Sequence, residues 1–339
     1  MRRPNRTQLI ALTGPSDDGD DYRRRTPHAE THPLKLLLIV NSSASSVTAR
    51  SRVVIQKALS ADHDVDVAET SRRGHAARLA KGAANSGVEV VVALGGDGTL
   101  NEAANGLVGT DTALAPLPGG STNVFARTIG LPNDPIEATG ALLDSLAADS
   151  IRPVGIGSVN GRCFLFHVGI GFDAAVVEQV ERRGSLKRWA GHPLFVYSAF
   201  DTWLRHYDRS RPRFSVHLPD GSVVDDGYFA ICLNTDPYTY FGNRPLHLAP
   251  RAQLDSGLSM VTVRTMRLLP VLKLGLSALG SSGGLASGRH ATVHHDLTDL
   301  VVRGYGPIPY QVDGDHLGAV DELRIRHEPD ALRLVLPLS

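Results

Sequence analysis

The sequence predicts a two-part fold, an α/β domain with a parallel sheet followed by a mainly antiparallel β domain. From residue 34 to about 150, continuous apolar runs alternate with segments of helical periodicity. After Ile151 the apolar runs become shorter, and turn sequences typical of hairpins separate them. The length of 339 residues fits about two domains and is ample for a sizeable core.

The α/β part contains apolar runs that indicate strands buried in a sheet, and alternation of Val65 and Val67 with aspartates indicates a further short strand. The predicted strands cover residues 34–40, 65–67, 88–94 and 113–117. Helical spacing of apolar residues predicts helices over 53–59, 76–84 and 100–108. A fourth helix is predicted to begin at Asp134-Pro135-Ile136-Glu137, which offers an N-cap, a proline at the first helical position and a glutamate for a capping box.

The β-rich part is predicted from short strands and turn pairs. Asn160-Gly161 and Pro219-Asp220-Gly221 are typical of hairpin turns. Helices are predicted near 173–183, 193–206 and 267–279. The predicted strands cover residues 151–159, 163–168, 214–218, 222–224, 228–233, 258–263, 300–303, 323–326 and 332–336.

Composition excludes several classes of protein. The formal net charge is zero, so no basic footprint for nucleic acid is expected. The only two cysteines, Cys163 and Cys232, lie in strand-like runs and are predicted to be buried reduced thiols, without zinc-site spacing.

Targeting signals and membrane spans are not recognisable in the sequence. Residues 1–33 have no periodicity and are predicted to be a disordered tail. The apolar stretch 268–280 contains Lys273 and ends in glycines and serines, which argues against a span. We therefore expect a cytoplasmic protein that can contact a membrane from outside.

A glycine-rich turn carries the strongest chemical signal. The predicted strand 88–94 runs directly into Gly95-Gly96-Asp97-Gly98-Thr99, and a helix follows at once. Glycines allow backbone N–H groups to approach phosphate oxygens, and a helix start adds partial positive charge. Asp97 would repel phosphate unless Mg²⁺ or a hydroxyl group lies near it. The alternative is an ordinary β–α turn without ligand.

Four ordered motifs resemble those of the diacylglycerol kinase and sphingosine kinase catalytic superfamily, in particular its soluble bacterial lipid kinases. The motifs cover nearly the whole chain after the tail. They are GGDGTLNEAANGL at 95–107, PLPGGSTNVFAR at 116–127, VGIGFDA at 168–174 and QVDGD at 311–315.

The resemblance implies a fold, an activity and partners. It implies an NAD kinase- and phosphofructokinase-like α/β domain over 34–153, a β-rich lipid-substrate domain over 154–320, and a C-terminal segment, 321–339, that packs back on the core. It implies an ATP- and Mg²⁺-dependent kinase acting on the hydroxyl of diacylglycerol or a related lipid at a membrane surface. Members of the family often form homodimers.

The resemblance also implies roles for individual residues. Asp315 is implied as the general base, with Asp97 as a second catalytic carboxylate. Asp173 is implied as a substrate contact, although an N-cap of the following helix is the default interpretation. Thr70 is either a nucleotide contact or a helix N-cap, and Asp313-Gly314 alone would indicate a turn. The implied nucleotide-binding residues are Asn41, Ser42, Ser43, Ser45, Thr70, Gly95, Gly96, Asp97, Gly98, Thr99, Asn101, Glu102, Gly120, Ser121 and Asn123.

The chain departs from the family pattern at several positions. The first loop, Asn41-Ser42-Ser43-Ala44-Ser45, lacks the usual proline and closing glycine, and Ser121 replaces a threonine. Val124 replaces an aspartate, and Asp315 replaces the glutamate base. Ser256 stands where the family has a metal-binding aspartate, which leaves Asp255 one residue away as a metal-ligand candidate.

Two alternatives remain open at this point. NAD kinases and phosphofructokinases share the GGDG turn, so a kinase of a soluble acceptor is one alternative. The departures motivate the other, a nucleotide- or lipid-binding module without catalysis.

Overall fold

The computed structural model describes residues 32–182, 207–280 and 284–338. The predicted tail before His32 and the predicted helix 193–206 lie outside these residues.

The first half forms the predicted parallel sheet. Strands β1 to β4 run parallel in the order β2-β1-β3-β4, and every residue of β3 and β4 is buried. The strands are Lys35–Val40, Asp64–Glu69, Val90–Gly95 and Ala113–Pro118. Five helices, α1 to α5, connect or follow them, namely Ala49–Leu59, His75–Asn85, Asp97–Leu107, Val124–Thr128 and Pro135–Ala147.

The predicted N-cap and first-turn proline of α5 are confirmed, whereas the predicted capping box is not formed among the hydrogen bonds of the described residues. Asp134 accepts hydrogen bonds from the amides of Ile136 and Glu137, and Pro135 occupies the first turn. Helix α4 was not predicted, because five residues are too few to show a helical period.

The second half is mainly antiparallel, as predicted. Its main strands follow the order β14-β13-β10-β7-β15-β16, with β5, β6, β8 and β9 paired alongside, while β11 and β12 form a separate pair. Helix α6 is Phe172–Arg182 and helix α7 is Leu268–Ala278. Strands β5 to β16 are Ile151–Val159, Arg162–Phe164, His167–Gly171, Phe214–His217, Val223–Gly227, Phe229–Leu233, Thr239–Phe241, Arg244–Leu246, Leu258–Val263, Ala291–Leu297, Asp299–Val312 and Asp315–Val335.

The C-terminal strands differ from the prediction. Residues 323–326 and 332–336 were predicted as two strands, but β16 is continuous and begins at Asp315. A shift of register between Glu328 and Leu332 interrupts the alternation of side chains, which made one strand look like two. Strands β11, β12 and β14 were not predicted.

Strand β16 connects the two halves of the sheet. It pairs antiparallel with β15 and β5, and Leu334 near its end pairs parallel with Leu114 of β4. The boundary expected between residues 320 and 321 therefore falls inside a strand. Among the described residues, no helix is long and apolar enough to cross a bilayer.

Candidate active site

A cavity of about 690 Å³ lies where the parallel strands end and the β15–β16 turn faces them. It contains most of the residues implied as nucleotide contacts, together with Asp313 and Asp315 from the turn. The predicted residues that line it are Asn41, Ser43, Ser45, Thr70, Gly96, Asp97, Gly98, Thr99, Glu102, Gly120 and Ser121. Those outside its lining are Ser42, Gly95, Asn101, Asn123, Asp173 and Asp255.

Glycines at the ends of β3 and β4 pack too closely against their neighbours to carry a side chain. A Cβ on Gly95 would lie 2.6 Å from the Cβ of Thr99, and one on Gly120 would lie 2.8 Å from the Cα of Gly96. Gly98 differs, because the nearest atom to its Cβ position is Oδ1 of Asp315 at 3.5 Å. Gly98 is thus open to the cavity, whereas Gly95 and Gly120 are required by packing.

Asp97 caps a helix from a distance. Its two carboxylate oxygens accept hydrogen bonds from the amides of Val124 (3.0 Å) and Phe125 (3.1 Å), at the start of α4. Burial raises the pKa of Asp97, while these amide hydrogen bonds lower it. These hydrogen bonds give Asp97 a structural role, and the Mg²⁺ or hydroxyl group expected near it stays a prediction.

The first loop is held in place despite its departures from the family pattern. Asn41 accepts a hydrogen bond from the Ser43 amide and donates one to the Thr99 hydroxyl at 2.9 Å. Ser46 donates from its amide to Gly119 and from its hydroxyl to Gly120. The loop therefore lies against the second glycine pair without a proline or closing glycine.

Ser42 lies outside the cavity lining, and its hydroxyl donates a hydrogen bond to Glu69 at 3.0 Å. The prediction that Ser42 contacts nucleotide is therefore not supported by its position.

Three polar side chains of the motifs make structural contacts within the protein. Asn101 is buried and donates to Asp313 (2.8 Å) and to the Cys163 carbonyl. Glu102 accepts from the amides of Gly74 and Ala76 at the start of α2. Asn123 has a left-handed backbone (φ 51°) and bonds to both the amide and the carbonyl of Gly120. Asn101 and Asn123 also lie outside the cavity lining, so their positions do not support the predicted nucleotide role, while Glu102 lines the cavity with its carboxylate already hydrogen-bonded.

Asp315 faces Gly98 and is held by two arginines. Its Oδ1 accepts a hydrogen bond from Arg73, and its Oδ2 accepts one from Arg162, both at 2.9 Å. Arg73 reaches it from the segment before α2, and Arg162 from β6. The carboxylate is thereby fixed at the cavity wall opposite the start of α3.

Sequence reasoning missed both arginines as site residues. Arg72 and Arg73 directly follow Thr70-Ser71 at the carboxyl end of β2, and this position could have indicated them. Nothing in the sequence around Arg162 pointed to the site.

The Asp313-Gly314 turn is confirmed, since Val312 pairs with Asp315 and both turn residues have positive φ. The buried Asp313 carboxylate accepts from the amides of Leu165, Phe166 and His167 and from Asn101. Burial raises the pKa of Asp313 to about 6, although these hydrogen bonds oppose the shift. Asp313 thus fixes the turn that carries Asp315.

The other end of the cavity is apolar and was missed. Phe166, His167, Val177 and Tyr238 line it. His167 is buried, and among the described residues nothing hydrogen-bonds to its Nδ1. Burial lowers the pKa of His167 to about 3. This end offers space for an apolar part of a ligand next to the polar end.

Asp173 lies behind this apolar wall. Helix α6 begins at Phe172, so Asp173 is not the N-cap that was the default prediction. Its carboxylate accepts hydrogen bonds from Tyr238 and from Gln311, and burial raises its pKa. Asp173 therefore positions two lining residues without lining the cavity itself.

The helix N-cap interpretation of Thr70 was also wrong, because Gly74 is the N-cap of α2. Thr70 lines the cavity, which leaves the nucleotide contact as its predicted role.

The described residues offer no preformed metal cage. Asp97, Glu102, Asp313 and Asp315 line the cavity, but each already accepts hydrogen bonds from protein donors. Across the described ranges, no three His, Cys, Asp or Glu side chains are arranged to hold a metal ion. Asp255 instead forms an exposed ion pair with Arg152 at 2.7 Å.

Comparison with known proteins points in the same direction as the geometry. Residues 35–159 match the family "Diacylglycerol kinase catalytic domain". The chain is 31% identical over 304 residues to a Pseudomonas aeruginosa (strain UCBPP-PA14) protein named "Probable lipid kinase YegS-like", covering 89% of this chain and 94% of that protein. A "Diacylglycerol kinase" of Bacillus subtilis (strain 168) is 38% identical over 121 residues, which are 35% of this chain and 39% of that protein.

A solved structure shares the fold. The crystal structure of a diacylglycerol kinase from Bacillus anthracis str. Sterne matches with a TM-score of 0.66 at 21% identity. The match covers 89% of this chain and 96% of that one.

Proposed function

This chain belongs to the diacylglycerol kinase catalytic-domain family of lipid kinases, and from that premise we propose that it transfers the terminal phosphate of ATP to a hydroxyl of diacylglycerol or a closely related lipid. The observation that carries the proposal is the position of Asp315, whose carboxylate lies against Gly98 at the start of α3. A carboxylate that can accept a proton thereby lies next to a helix start that can bind phosphate.

The polar end of the cavity suits the phosphates of a nucleotide. The first amides of a helix have no carbonyl partner within the helix, and the start of α3 lines the cavity. Ser43, Ser45, Ser121 and Arg72, which carry hydroxyl and guanidinium donors, belong to the same lining. These donors can stabilise negative charge on the transferred phosphate, which is the main requirement of phosphoryl transfer.

Mg²⁺ is proposed to arrive with the nucleotide, held mainly by its phosphates and by water, and to neutralise phosphate charge. The protein's own contribution is then positioning. Arg162 keeps Oδ2 of Asp315 in place, so that the carboxylate can accept the proton of the attacking lipid hydroxyl.

Arg73 is proposed to exchange partners when nucleotide binds. Its side chain is 59% exposed and lies in the cavity, where it donates to Oδ1 of Asp315. A guanidinium binds phosphate as readily as it binds carboxylate. Transfer of Arg73 to a phosphate would free Oδ1 for the lipid hydroxyl.

The experiment offers the purified protein radiolabelled ATP, Mg²⁺ and a panel of lipids in micelles, with NAD as a soluble acceptor. We expect label on diacylglycerol or a related hydroxylated lipid. Binding of ATP without labelling of any lipid would contradict the proposal. Label on NAD alone would establish a kinase of a soluble acceptor instead.

A further inference from the structure

Helix α7 exposes a stripe of leucines to solvent. Leu268, Leu269, Leu272 and Leu276 of the helix, and Leu279 after it, are between 47% and 71% exposed. They recur at helical spacing, which places them on one side of the helix.

The opposite side of α7 is also apolar. Val271 and Leu274 are partly buried and Ala278 is buried. A helix that is apolar on both sides is normally covered on both, by protein or by lipid. The 11 residues of α7 would extend about 16 Å, which is too short to cross a bilayer and long enough to lie on one.

The charged residues next to α7 in the sequence are of one sign. No acidic residue occurs between Asp255 and Asp296 in the sequence. Arg267 at the start of α7 and Lys273 within it are exposed. Exposed leucines whose charged neighbours in the sequence are all cations complement a surface that is apolar below and anionic above, which is the interface of an anionic bilayer.

One hydrophobic cluster connects α7 with the apolar end of the cavity. Ala278 and Tyr238 belong to it, and Leu246 packs against it. The Ala278 carbonyl accepts a hydrogen bond from His247, and the Leu246 carbonyl accepts one from the Tyr238 amide. Helix α7 is therefore connected through packed residues to the cavity wall that a lipid acceptor would contact.

We propose that the leucine face of α7, defined by Leu268, Leu269, Leu272, Leu276 and Leu279, inserts into the interface of a bilayer that contains anionic lipid. The binding itself depends on the exposed leucines and on Lys273. Its purpose, delivery of a membrane lipid to the cavity, rests on the proposed function.

The test is flotation of the full chain with vesicles of phosphatidylcholine containing 30% phosphatidylglycerol. The variant Leu272→Gln/Leu276→Gln removes two leucines from the face, and we expect its partition coefficient to fall at least about tenfold. The matched control is Val53→Gln/Val54→Gln, which changes two exposed apolar residues of α1 and should bind like the parent. Equal binding of parent and leucine variant, or no binding of the parent, would overturn the proposal.

Lys273→Gln separates the electrostatic contribution from the apolar one. It should weaken binding about fivefold on vesicles with phosphatidylglycerol and leave binding to pure phosphatidylcholine unchanged. An equal loss on both vesicles would contradict the assigned role of Lys273.

A second copy of the chain would cover the same leucines by self-association. Sedimentation equilibrium of the parent and the leucine variant separates this arrangement from bilayer binding. A parent dimer that the leucine variant converts to a monomer would assign the face to self-association and overturn the proposal.

The parent and the leucine variant should phosphorylate a short-chain diacylglycerol dissolved as monomers at the same rate. The leucine variant should phosphorylate long-chain lipid in vesicles more slowly than the parent. If neither lipid is phosphorylated by either protein, the proposed function fails, and flotation still decides whether α7 binds bilayers.

Discussion

At the scale of residues, two kinds of glycine meet at the cavity. A side chain on Gly95 would collide with Thr99, whereas one on Gly98 would meet only Oδ1 of Asp315 at an ordinary contact distance. Packing therefore requires a glycine at position 95. At position 98 packing does not require one, and we attribute Gly98 to the approach of a ligand.

Replacing these glycines separates the two requirements. Gly98→Ala should leave the free energy of unfolding unchanged or raise it by up to about 1 kcal/mol, because alanine favours a helix. The same methyl group would fill the space before Asp315 and should lower the kinase rate at least about tenfold. Gly95→Ala should lose about 1–3 kcal/mol of stability through overpacking.

Urea unfolding and the rate of lipid phosphorylation measure these effects. A Gly98→Ala protein that is as active as the parent would show that phosphate does not approach this helix start.

His167 should make stability depend on pH. Burial lowers its pKa to about 3 in the folded state, while the unfolded chain binds the proton near 6.5. Between these values the unfolded state binds more protons, so His167 stabilises the fold above pH 6.5 and that contribution is lost as pH falls towards 3. His167→Phe keeps a ring in place and should make the free energy of unfolding less dependent on pH in this range.

The measurement is urea unfolding of parent and His167→Phe from pH 7.5 to 4. Asp313, with a pKa raised to about 6, acts in the opposite direction, because its contribution is lost as pH rises from about 4 to 6. Asp313 is present in both proteins, so their difference isolates His167. If the free energy of unfolding changes with pH in the same way in both proteins, the imidazole of His167 is not buried in its neutral form.

At the scale of elements, α2 receives its cap from a neighbouring helix. Its own N-cap, Gly74, has no side chain to accept from the first amides, and Glu102 of α3 accepts from Gly74 and Ala76 instead. A carboxylate at this place also interacts favourably with the helix dipole.

Glu102→Ala should therefore cost about 1–2 kcal/mol of unfolding free energy. Glu137→Ala, at the first turn of α5 where Asp134 already caps, should cost no more than about 0.5 kcal/mol. Urea unfolding of both variants decides between a cap and a ligand contact. If Glu102→Ala is as stable as the parent, the carboxylate is not needed as a cap.

The sequence predicted the elements better than the orientation of their side chains. Strands such as β3 and β10 show continuous apolar runs, and the glycine turn after β3 is local, so both could be recognised. Asn101 and Glu102 could not be interpreted this way. Their partners lie up to 212 residues away, and only the packed helices bring them together.

At the scale of the whole molecule, the site exists because β16 connects the two halves of the sheet. Arg73 and Asp315 are 242 residues apart in sequence and meet at 2.9 Å. The motifs allowed Asp315 to be predicted as a site residue. The arginines that hold it could not be predicted, because their proximity depends on how β6 and the β15–β16 turn pack against the parallel sheet.

The most direct measurement of the central claim is the turnover number for phosphate transfer from ATP to diacylglycerol by Asp315→Asn. We predict a fall of about 100-fold or more with ATP binding retained, because an amide cannot accept the hydroxyl proton. Asp315→Glu should retain most of the activity, and Asp255→Asn, which changes an exposed carboxylate in an ion pair, should match the parent. Equal turnover by Asp315→Asn and the parent would contradict the assignment of this cavity as the site of phosphate transfer.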